Sequence, residues 1–325
     1  MRSIAKCIAM VAALLATAQG AAAQAYPSRP ITMINPFPPG GATDILARTL
    51  TEHVKITLRQ PIIVEDVPGA GGSIGAGRVA RAAPDGYTLG FGNWASHVGS
   101  GAMYPLNYDL LKDLAPVALI ATAPLWIVGK NTLPLKDMKE LVAWLKSNPD
   151  KALAATVGIG SGSHLRGLYL QKHTGTRFQF VPYRGGLPAM QDMVAGNVDI
   201  MCDLAANSLP FVRNGRIKAY AVMAKTRWFA APDVPTIEEM GLPGLYVTFW
   251  HGVWVPSGTP SDIVAALNEA IVKALADDGV RRRFAEQGHE IPPRELQTPQ
   301  ALADYQKADI EKWWPVIKAA NIRPE

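Results

Sequence analysis

Short apolar segments of β type alternate with longer helical segments along most of the chain. This alternation is typical of parallel βαβ units, because two parallel strands need a crossover connection of a dozen or more residues. It therefore predicts an α/β fold. The predicted strands are Ile31–Asn35, Pro61–Glu65, Thr88–Phe91, Val117–Ala121, Ala152–Val157, Phe178–Pro182, Asp199–Cys202, Ile217–Met223 and Tyr246–Trp254.

The N-terminus has the pattern of a secretory leader. Arg2 and Lys6 are followed by the apolar run Ile8–Ala16, and then by small residues that end in an Ala-x-Ala site at Ala25. The apolar run is too short to span a bilayer comfortably, which disfavours the alternative of a membrane anchor. We therefore predict that residues 1–25 are a signal peptide and that the mature chain is exported.

Composition limits the classes of function. The chain has 325 residues, of which 48% are apolar, which is enough for two domains with cores of their own. The formal charge of +5 falls to about +3 without Arg2 and Lys6, and the triplet Arg281 to Arg283 reads as a solvated helix face. We expect no nucleic-acid partner. Cys202 is alone in the mature chain, so no internal disulfide can form.

Motifs for catalysis, metals and nucleotides are mostly missing. The sequence contains no H-E-x-x-H, no C-x-x-C and no Walker phosphate loop, and its histidines lack the spacing of metal ligands. The segment GIGSGSHL (residues 158–165) keeps one catalytic alternative open, in which Ser161 or Ser163 works with His164 as an esterase, although the segment does not fit G-x-S-x-G. We predict no cofactor, no metal and no catalysis.

Glycine-rich turns connect several predicted strands to helices. They are PPGGATD (38–44), GAGGSI (69–74), GIGSGSH (158–164) and, more loosely, YRGG (183–186). The first N–H groups of a helix lack partners within the helix, and glycine lets another molecule approach them. With the positive end of the helix dipole, they form an anion site without a charged side chain. The alternative is that these glycines only make turns.

Such donors can hold a small carboxylate. A charge-assisted hydrogen bond contributes about 1.5–3 kcal/mol net, whereas micromolar affinity needs about 8 kcal/mol. Four or five backbone or hydroxyl donors therefore suffice, even after ordering costs. On this arithmetic an arginine clamp is not required.

Longer motifs carry a specific resemblance. The chain is similar to the Bug-type periplasmic solute-binding proteins of tripartite tricarboxylate transporters, from Tyr26 nearly to the C-terminus. The motifs that carry the resemblance are YPSRPITMINPFPPGGATDILARTL, VEDVPGAGGSIGAGRVARAAPDGYTL, DLAPVALI, GIGSGSHL, VPYRGGLPAMQDMVAGNVDIMCD, LPFVRNGRIKAYAV, PDVPTIEEMGLPG, WHGVWVPSGTP and IEKWWPVIKAANI.

The resemblance implies a two-lobed α/β fold of the Venus flytrap type that closes on a small organic carboxylate and delivers it to membrane subunits. The implied lobes are residues 26–125 plus 248–325 and residues 126–247, in a chain expected to be a monomer. A periplasmic sensory receptor is the remaining non-catalytic alternative, since fold alone does not separate the two. The acid could be a dicarboxylate, a tricarboxylate, an amino acid or an aromatic acid.

The resemblance also implies a set of ligand-binding residues. They are Phe37, Pro39, Gly40, Gly41, Ala42, Thr43, Gly72, Ser73, Asn93, Ser96, Ser161, Ser163, His164, Tyr183, Gly185, Gly186, Asp203 and Trp250. Some have alternative structural roles. Asp203 could cap a helix that begins near Ala205, and Tyr183 and Trp250 are equally compatible with the core.

Overall fold

The computed structural model describes residues 26–158 and 161–319. The predicted signal peptide lies outside this range. The strands are β1 (Ile31–Asn35), β2 (Ile62–Asp66), β3 (Thr88–Asn93), β4 (Leu114–Lys130), β5 (Leu153–Thr156), β6 (Gln179–Pro182), β7 (Ile200–Leu204), β8 (Ile217–Val222) and β9 (Thr248–Pro256). The helices are α1 (Ala42–Leu58), α2 (Ser73–Ala80), α3 (Ser100–Met103), α4 (Met138–Ser147), α5 (Gly162–Thr174), α6 (Gly186–Ala195), α7 (Ala205–Arg213), α8 (Ser261–Leu275), α9 (Asp278–Glu286) and α10 (Pro299–Ala319).

Strand β4 joins two halves of a continuous sheet with the order β2-β1-β3-β9-β4-β7-β5-β6, in which β8 also pairs with β4. Its residues Leu114–Pro124 pair with β9, whereas Leu125–Lys130 pair with β7 and β8. We call the half with β1, β2, β3 and β9 the first lobe and the half with β5 to β8 the second lobe. The sequence-based strand Val117–Ala121 was too short, and the expectation of purely parallel units was incomplete, because β4 and β9 run antiparallel to their neighbours.

The strand directions make the two lobes face each other. β3 and β4 are both antiparallel to β9, so β4 leaves the first lobe past the carboxyl ends of β1 and β3. β7 is antiparallel to β4 and returns, so that its last residue, Leu204, pairs with Leu125 where β4 enters the second lobe. β5 and β6 run parallel to β7. The carboxyl ends of the parallel strands in both lobes therefore point toward the crossing.

Helix α10 ties both lobes together. In the first lobe, Gln306 accepts a hydrogen bond from Trp254 Nε1 and donates to the carbonyl of His97. In the second lobe, Lys312 Nζ donates to the carbonyl of Tyr246, and Trp313 packs edge-to-face on Tyr169. The long C-terminal helix thus forms a strap across the junction.

The starts of α10 and α8 differ in whether a threonine side chain caps the helix. Thr298 caps α10, because its hydroxyl accepts the N–H of Ala301. Thr259 does not cap α8, since its hydroxyl donates to the carbonyl of Pro256 instead. Helix α10 continues through Pro315. No helix within residues 26–158 and 161–319 is long and apolar enough to cross a membrane.

Candidate functional site

A buried polar network lies at the carboxyl ends of β1 and β3. Asn93, the last residue of β3, donates from Nδ2 to Thr43 Oγ1 over 3.1 Å, and its Oδ1 accepts the N–H of Ala95 over 2.9 Å. The hydroxyl of Ser96 accepts the Asn93 N–H over 3.1 Å. The structure therefore brings together three residues that the sequence nominated separately.

His251 belongs to the same network, although the sequence analysis did not select it. Its Nε2 lies 3.3 Å from Thr43 Oγ1, and it pairs across the sheet with Asn93. Burial, followed by the nearby His289, holds the pKa of His251 well below its usual range, so the ring is neutral. His251 reaches this network only because β9 pairs with β3. No local pattern in the segment WHGV indicates that pairing.

Thr43→Val tests this network. Valine keeps the shape but removes the hydroxyl, so the buried amide of Asn93 loses its acceptor. We expect the free energy of unfolding to fall by about 1–3 kcal/mol, measured by urea denaturation. Thr57→Val, at an exposed position on the same helix, is the matched control and is expected to change stability by less than about 0.5 kcal/mol. Equal effects in the two variants would contradict the network.

Only part of the first glycine turn leaves its backbone N–H groups accessible to a ligand. Asp44 Oδ2 accepts the Gly40 N–H over 2.8 Å, so the protein's own carboxylate occupies that donor. Gly41, the N-cap of α1, is exposed, and a Cβ there would meet only the Pro38 carbonyl at 3.6 Å. The loop also presents Phe37 and Ala42 half-buried and Pro39 exposed. Approach to the backbone is therefore open at Gly41.

The second glycine turn packs against the protein itself. A Cβ on Gly72, whose φ is +93°, would lie 2.7 Å from the Ser96 Cβ and 3.3 Å from the Phe37 ring. Ser73 is buried, and its carbonyl accepts the Tyr108 hydroxyl. The glycine at this turn is explained by contact with the π-helical turn Ala95–Gly99 that follows β3, which is the structural alternative that the sequence left open.

The third turn leads into α5 in the second lobe. Ser161 is the N-cap of α5, and its hydroxyl accepts the N–H of His164. Ser163 Oγ lies 3.0 Å from Ser161 Oγ and accepts the N–H of Val157. The His164 ring packs edge-to-face on Phe180 with 4.6 Å between centroids. Both serine hydroxyls thus organise the loop at the start of the helix.

The fourth turn opens α6. Gly185, with a φ of +115°, is the N-cap, and a Cβ on either Gly185 or Gly186 would meet nothing within 4 Å. Tyr183 does not lie in the core, because it is only half-buried and its hydroxyl donates to Asp192 Oδ2 over 2.6 Å. The backbone at this helix start is therefore open to approach at Gly185 and Gly186.

Asp203 lies near the end of β7, where that strand meets the crossing. Its Oδ2 accepts the Ser208 hydroxyl over 2.6 Å, and Ser208 in turn accepts Trp126 Nε1 over 2.8 Å. The N-cap of α7 is Leu204, so Asp203 does not have the capping position. Burial raises the pKa of Asp203 to about 6, which leaves the carboxyl able to donate or accept near neutral pH.

Asp203→Asn tests this shift. The folded pKa lies above the ordinary 3.8, so the native state binds the proton more tightly than the unfolded state. The protonated Asp203 carboxyl therefore stabilises the native state fully below about pH 4, and this contribution is lost as the pH rises through 6. We expect the stability of the variant relative to wild type to increase by up to about 3 kcal/mol between pH 4 and 7.5, measured by urea denaturation. Asp233→Asn, at an exposed position, should show no such trend, and a flat difference for Asp203→Asn would refute the shift.

Trp250 is part of the core. It has no exposed surface, it packs against Trp254, and its indole Nε1 donates to Asp309 Oδ2 over 2.6 Å. This arrangement favours the structural alternative over ligand contact. Across the described parts of the chain, no group of three or more His, Cys, Asp or Glu residues could hold a metal ion.

Comparisons with known proteins agree on one family. The sequence model described as "Tripartite tricarboxylate transporter family receptor" matches residues 46–322. Protein BugT of Bordetella pertussis is 35% identical over 321 residues, which cover 97% of this chain and 98% of BugT.

Solved structures of similar proteins indicate the same family. MatC from Rhodopseudomonas palustris, determined with bound malate, is 40% identical, with a TM-score of 0.76 over 90% of this chain and 100% of MatC. A second R. palustris protein, determined with adipate, is 31% identical, with a TM-score of 0.78 over 92% of this chain and 100% of that protein.

These matches confirm the two-lobed α/β fold of a periplasmic binding protein. The family and the matched structures are solute-binding receptors and not enzymes, which removes the esterase hypothesis built on Ser161 or Ser163. The chain therefore belongs to the tripartite tricarboxylate transporter receptor family, the Bug-type solute-binding proteins that its sequence resembles.

Proposed function

We propose that this protein captures a small organic carboxylate between its two lobes and hands it to the membrane subunits of a tripartite tricarboxylate-type transporter. The ligand would be held by backbone N–H groups at the starts of α1, α5 and α6, together with the side chains of Thr43, Asn93 and Ser161. Contacts shared by both lobes would favour the closed state, because a ligand shifts a conformational equilibrium only by its differential affinity.

The facing carboxyl ends of the parallel strands support this proposal. Asn93 and His251 align with Ala121 on β4, whereas Asp203 aligns with Trp126. Five residues of extended strand span about 16 Å. Polar groups of the two lobes are therefore spaced along β4 at a distance that would suit a small, elongated molecule held between the lobes.

The relatives favour a dicarboxylate among the candidate acids. Malate and adipate, the molecules bound in the two R. palustris structures, both carry a carboxylate at each end. A helix N-terminus in each lobe would complement such a molecule, since each provides N–H donors and a partial positive charge. We therefore place four- to six-carbon dicarboxylates first.

Delivery requires export and two moving lobes. We propose that residues 1–25 are removed and that the mature chain acts as a monomer in the periplasm. We propose residues 26–125 plus 248–325 and residues 126–247 as the lobes. The change of β4 partners after Pro124 and the start of β9 at Thr248 support these bounds.

A thermal-shift screen of the mature protein tests the ligand class. The panel contains malate, succinate, adipate, citrate, aspartate and benzoate, each paired with the amide that lacks its carboxylate charges. A carboxylate at about 100 times its Kd should stabilise the native state by about 2.7 kcal/mol and raise Tm by about 5 °C or more. Stabilisation by the amides but by none of the acids would refute the proposal.

Uptake by vesicles that contain the transporter's membrane subunits tests delivery. Accumulation of a labelled ligand should depend on the added receptor. A receptor that binds the acid but leaves its flux unchanged would instead support sensing.

A further inference from the structure

The guanidinium of Arg166 is fully buried where the lobes meet. Arg166 belongs to α5 in the second lobe, and its Cζ lies 3.7 Å from the ring centroid of Trp94, which follows β3 in the first lobe. It also lies 4.7 Å from the ring centroid of Trp313 on α10. Helix α5, the segment after β3 and helix α10 thus each contribute one member of a cation–π stack at the junction of the lobes.

The charge and the N–H donors of this buried guanidinium are only partly compensated by the protein. Its Nε and Nη2 atoms find no hydrogen-bond acceptor among the described residues. The carboxylate of Asp309 acts on the guanidinium through its charge, but its Oδ2 accepts the hydrogen bond of Trp250. Burial accordingly lowers the pKa of Arg166 to about 9. Removing a cation from water without full pairing is unfavourable.

The head of Arg166 lies beside the proposed ligand site. Its Nη1 donates to the carbonyl of Gly162, the first residue of α5, over 3.3 Å. The end of a helix where the dipole is already positive therefore carries an additional positive charge. On the opposite side, Trp94 directly follows Asn93 of the first-lobe network. Arg166 thus lies between the two halves of the site.

We propose that Arg166 is a positioning residue that makes the lobes close on an anion in preference to a neutral molecule of the same shape. The inference rests on the proposed function. Closure brings Trp94 onto the guanidinium and removes it from water. An anion at the start of α5 offsets the cost of burying this charge, whereas a neutral ligand leaves it uncompensated.

Two substitutions separate charge from packing. Arg166→Met keeps an apolar chain between the tryptophans but removes the charge, and Arg166→Lys keeps the charge without the planar head. Calorimetric titration with malate, adipate and their neutral diamides measures affinity for wild type and both variants. Circular dichroism and thermal melting establish that each variant is folded.

We expect Arg166→Met to reduce the ratio of diacid affinity to diamide affinity by about tenfold or more, chiefly because the diamide no longer has to bury an uncompensated charge. Arg166→Lys should retain most of the preference for the acid. A purely structural role would change both ligands alike. An unchanged ratio in Arg166→Met, as parallel changes for acid and diamide would give, would overturn the inference.

A ligand-free measurement keeps this inference distinct from the proposed function. Spin labels at Thr57→Cys in the first lobe and Lys172→Cys in the second report the distance between lobes, and both positions are exposed. Without ligand, Arg166→Met should populate the closed distance more than wild type does. If wild type binds none of the acids, the proposed ligand class is wrong; if the distance distributions of wild type and Arg166→Met coincide, the role of Arg166 is wrong.

Discussion

Gly41→Val is expected to abolish stabilisation by a bound carboxylate and to lower the free energy of unfolding by only about 1 kcal/mol. Gly41 has a φ of −76° and a ψ of 167°, which any residue can adopt. The nearest atom to an added Cβ is the Pro38 carbonyl at 3.6 Å, an ordinary contact. The fold therefore accommodates valine, whereas a ligand that needs the first N–H groups of α1 meets an isopropyl group.

Gly41→Ala is the matched control. Alanine and valine are both poor N-cap residues, so the two variants share the same loss of capping and differ in bulk. Thermal shift with malate and adipate should show partial stabilisation for alanine and none for valine. Gly186→Val makes the corresponding change at the start of α6, where the surroundings are also open. Unchanged ligand stabilisation in both valine variants would remove these helix starts from the site.

The alternation of strands and helices was sufficient to predict an α/β fold, because periodicity and length are local properties. The bounds of β1 agree with the prediction. The full length of the seventeen-residue strand β4 was missed, since its two halves acquire different partners from distant segments and Pro124 lies between them. Strand length here is set by tertiary pairing.

The glycine turns identified helix starts but not which ones are open. At Gly72 the close neighbour is Ser96, and at Gly40 the N–H donor is occupied by Asp44. Both facts depend on how loops pack after folding. Sequence spacing shows where glycine permits close approach, and only the assembled structure shows what approaches.

Arg166 and His251 were missed for a related reason. The arithmetic of backbone donors required no arginine, and SHLRG offers no pattern that distinguishes a buried arginine from a surface one. Its burial depends on Trp94 and Trp313, which are distant in sequence. His251 likewise reaches Thr43 across 208 positions of the chain. Such long-range pairs lie beyond single-sequence reasoning.

Gly288→Ala is expected to hold the lobes apart and to reduce ligand-induced stabilisation to near zero. Gly288 follows α9 in the first lobe with a φ of +71°. An added Cβ would lie 2.7 Å from the Ala206 Cβ, 3.1 Å from the Ala206 Cα and 2.9 Å from Trp228 Cζ2, all in the second lobe. Because a backbone atom cannot rotate away, the clash is relieved by separating the lobes.

Gly215→Ala isolates this contact from backbone strain. Both glycines end a helix in the same way, because the N–H of Gly215 bonds Val212 and that of Gly288 bonds Ala285, and the next residue bonds one position further back. Both have similar positive φ, but a Cβ on Gly215 meets nothing within 4 Å. Each variant should lose about 1–2 kcal/mol from left-handed strain. Only Gly288→Ala should lose a further 1–3 kcal/mol from overpacking, enlarge the radius of gyration in X-ray scattering and fail to respond to malate or adipate. If the two variants agree in stability, radius of gyration and response to ligand, Gly288 serves only to end α9, and its contact with the second lobe does not limit closure.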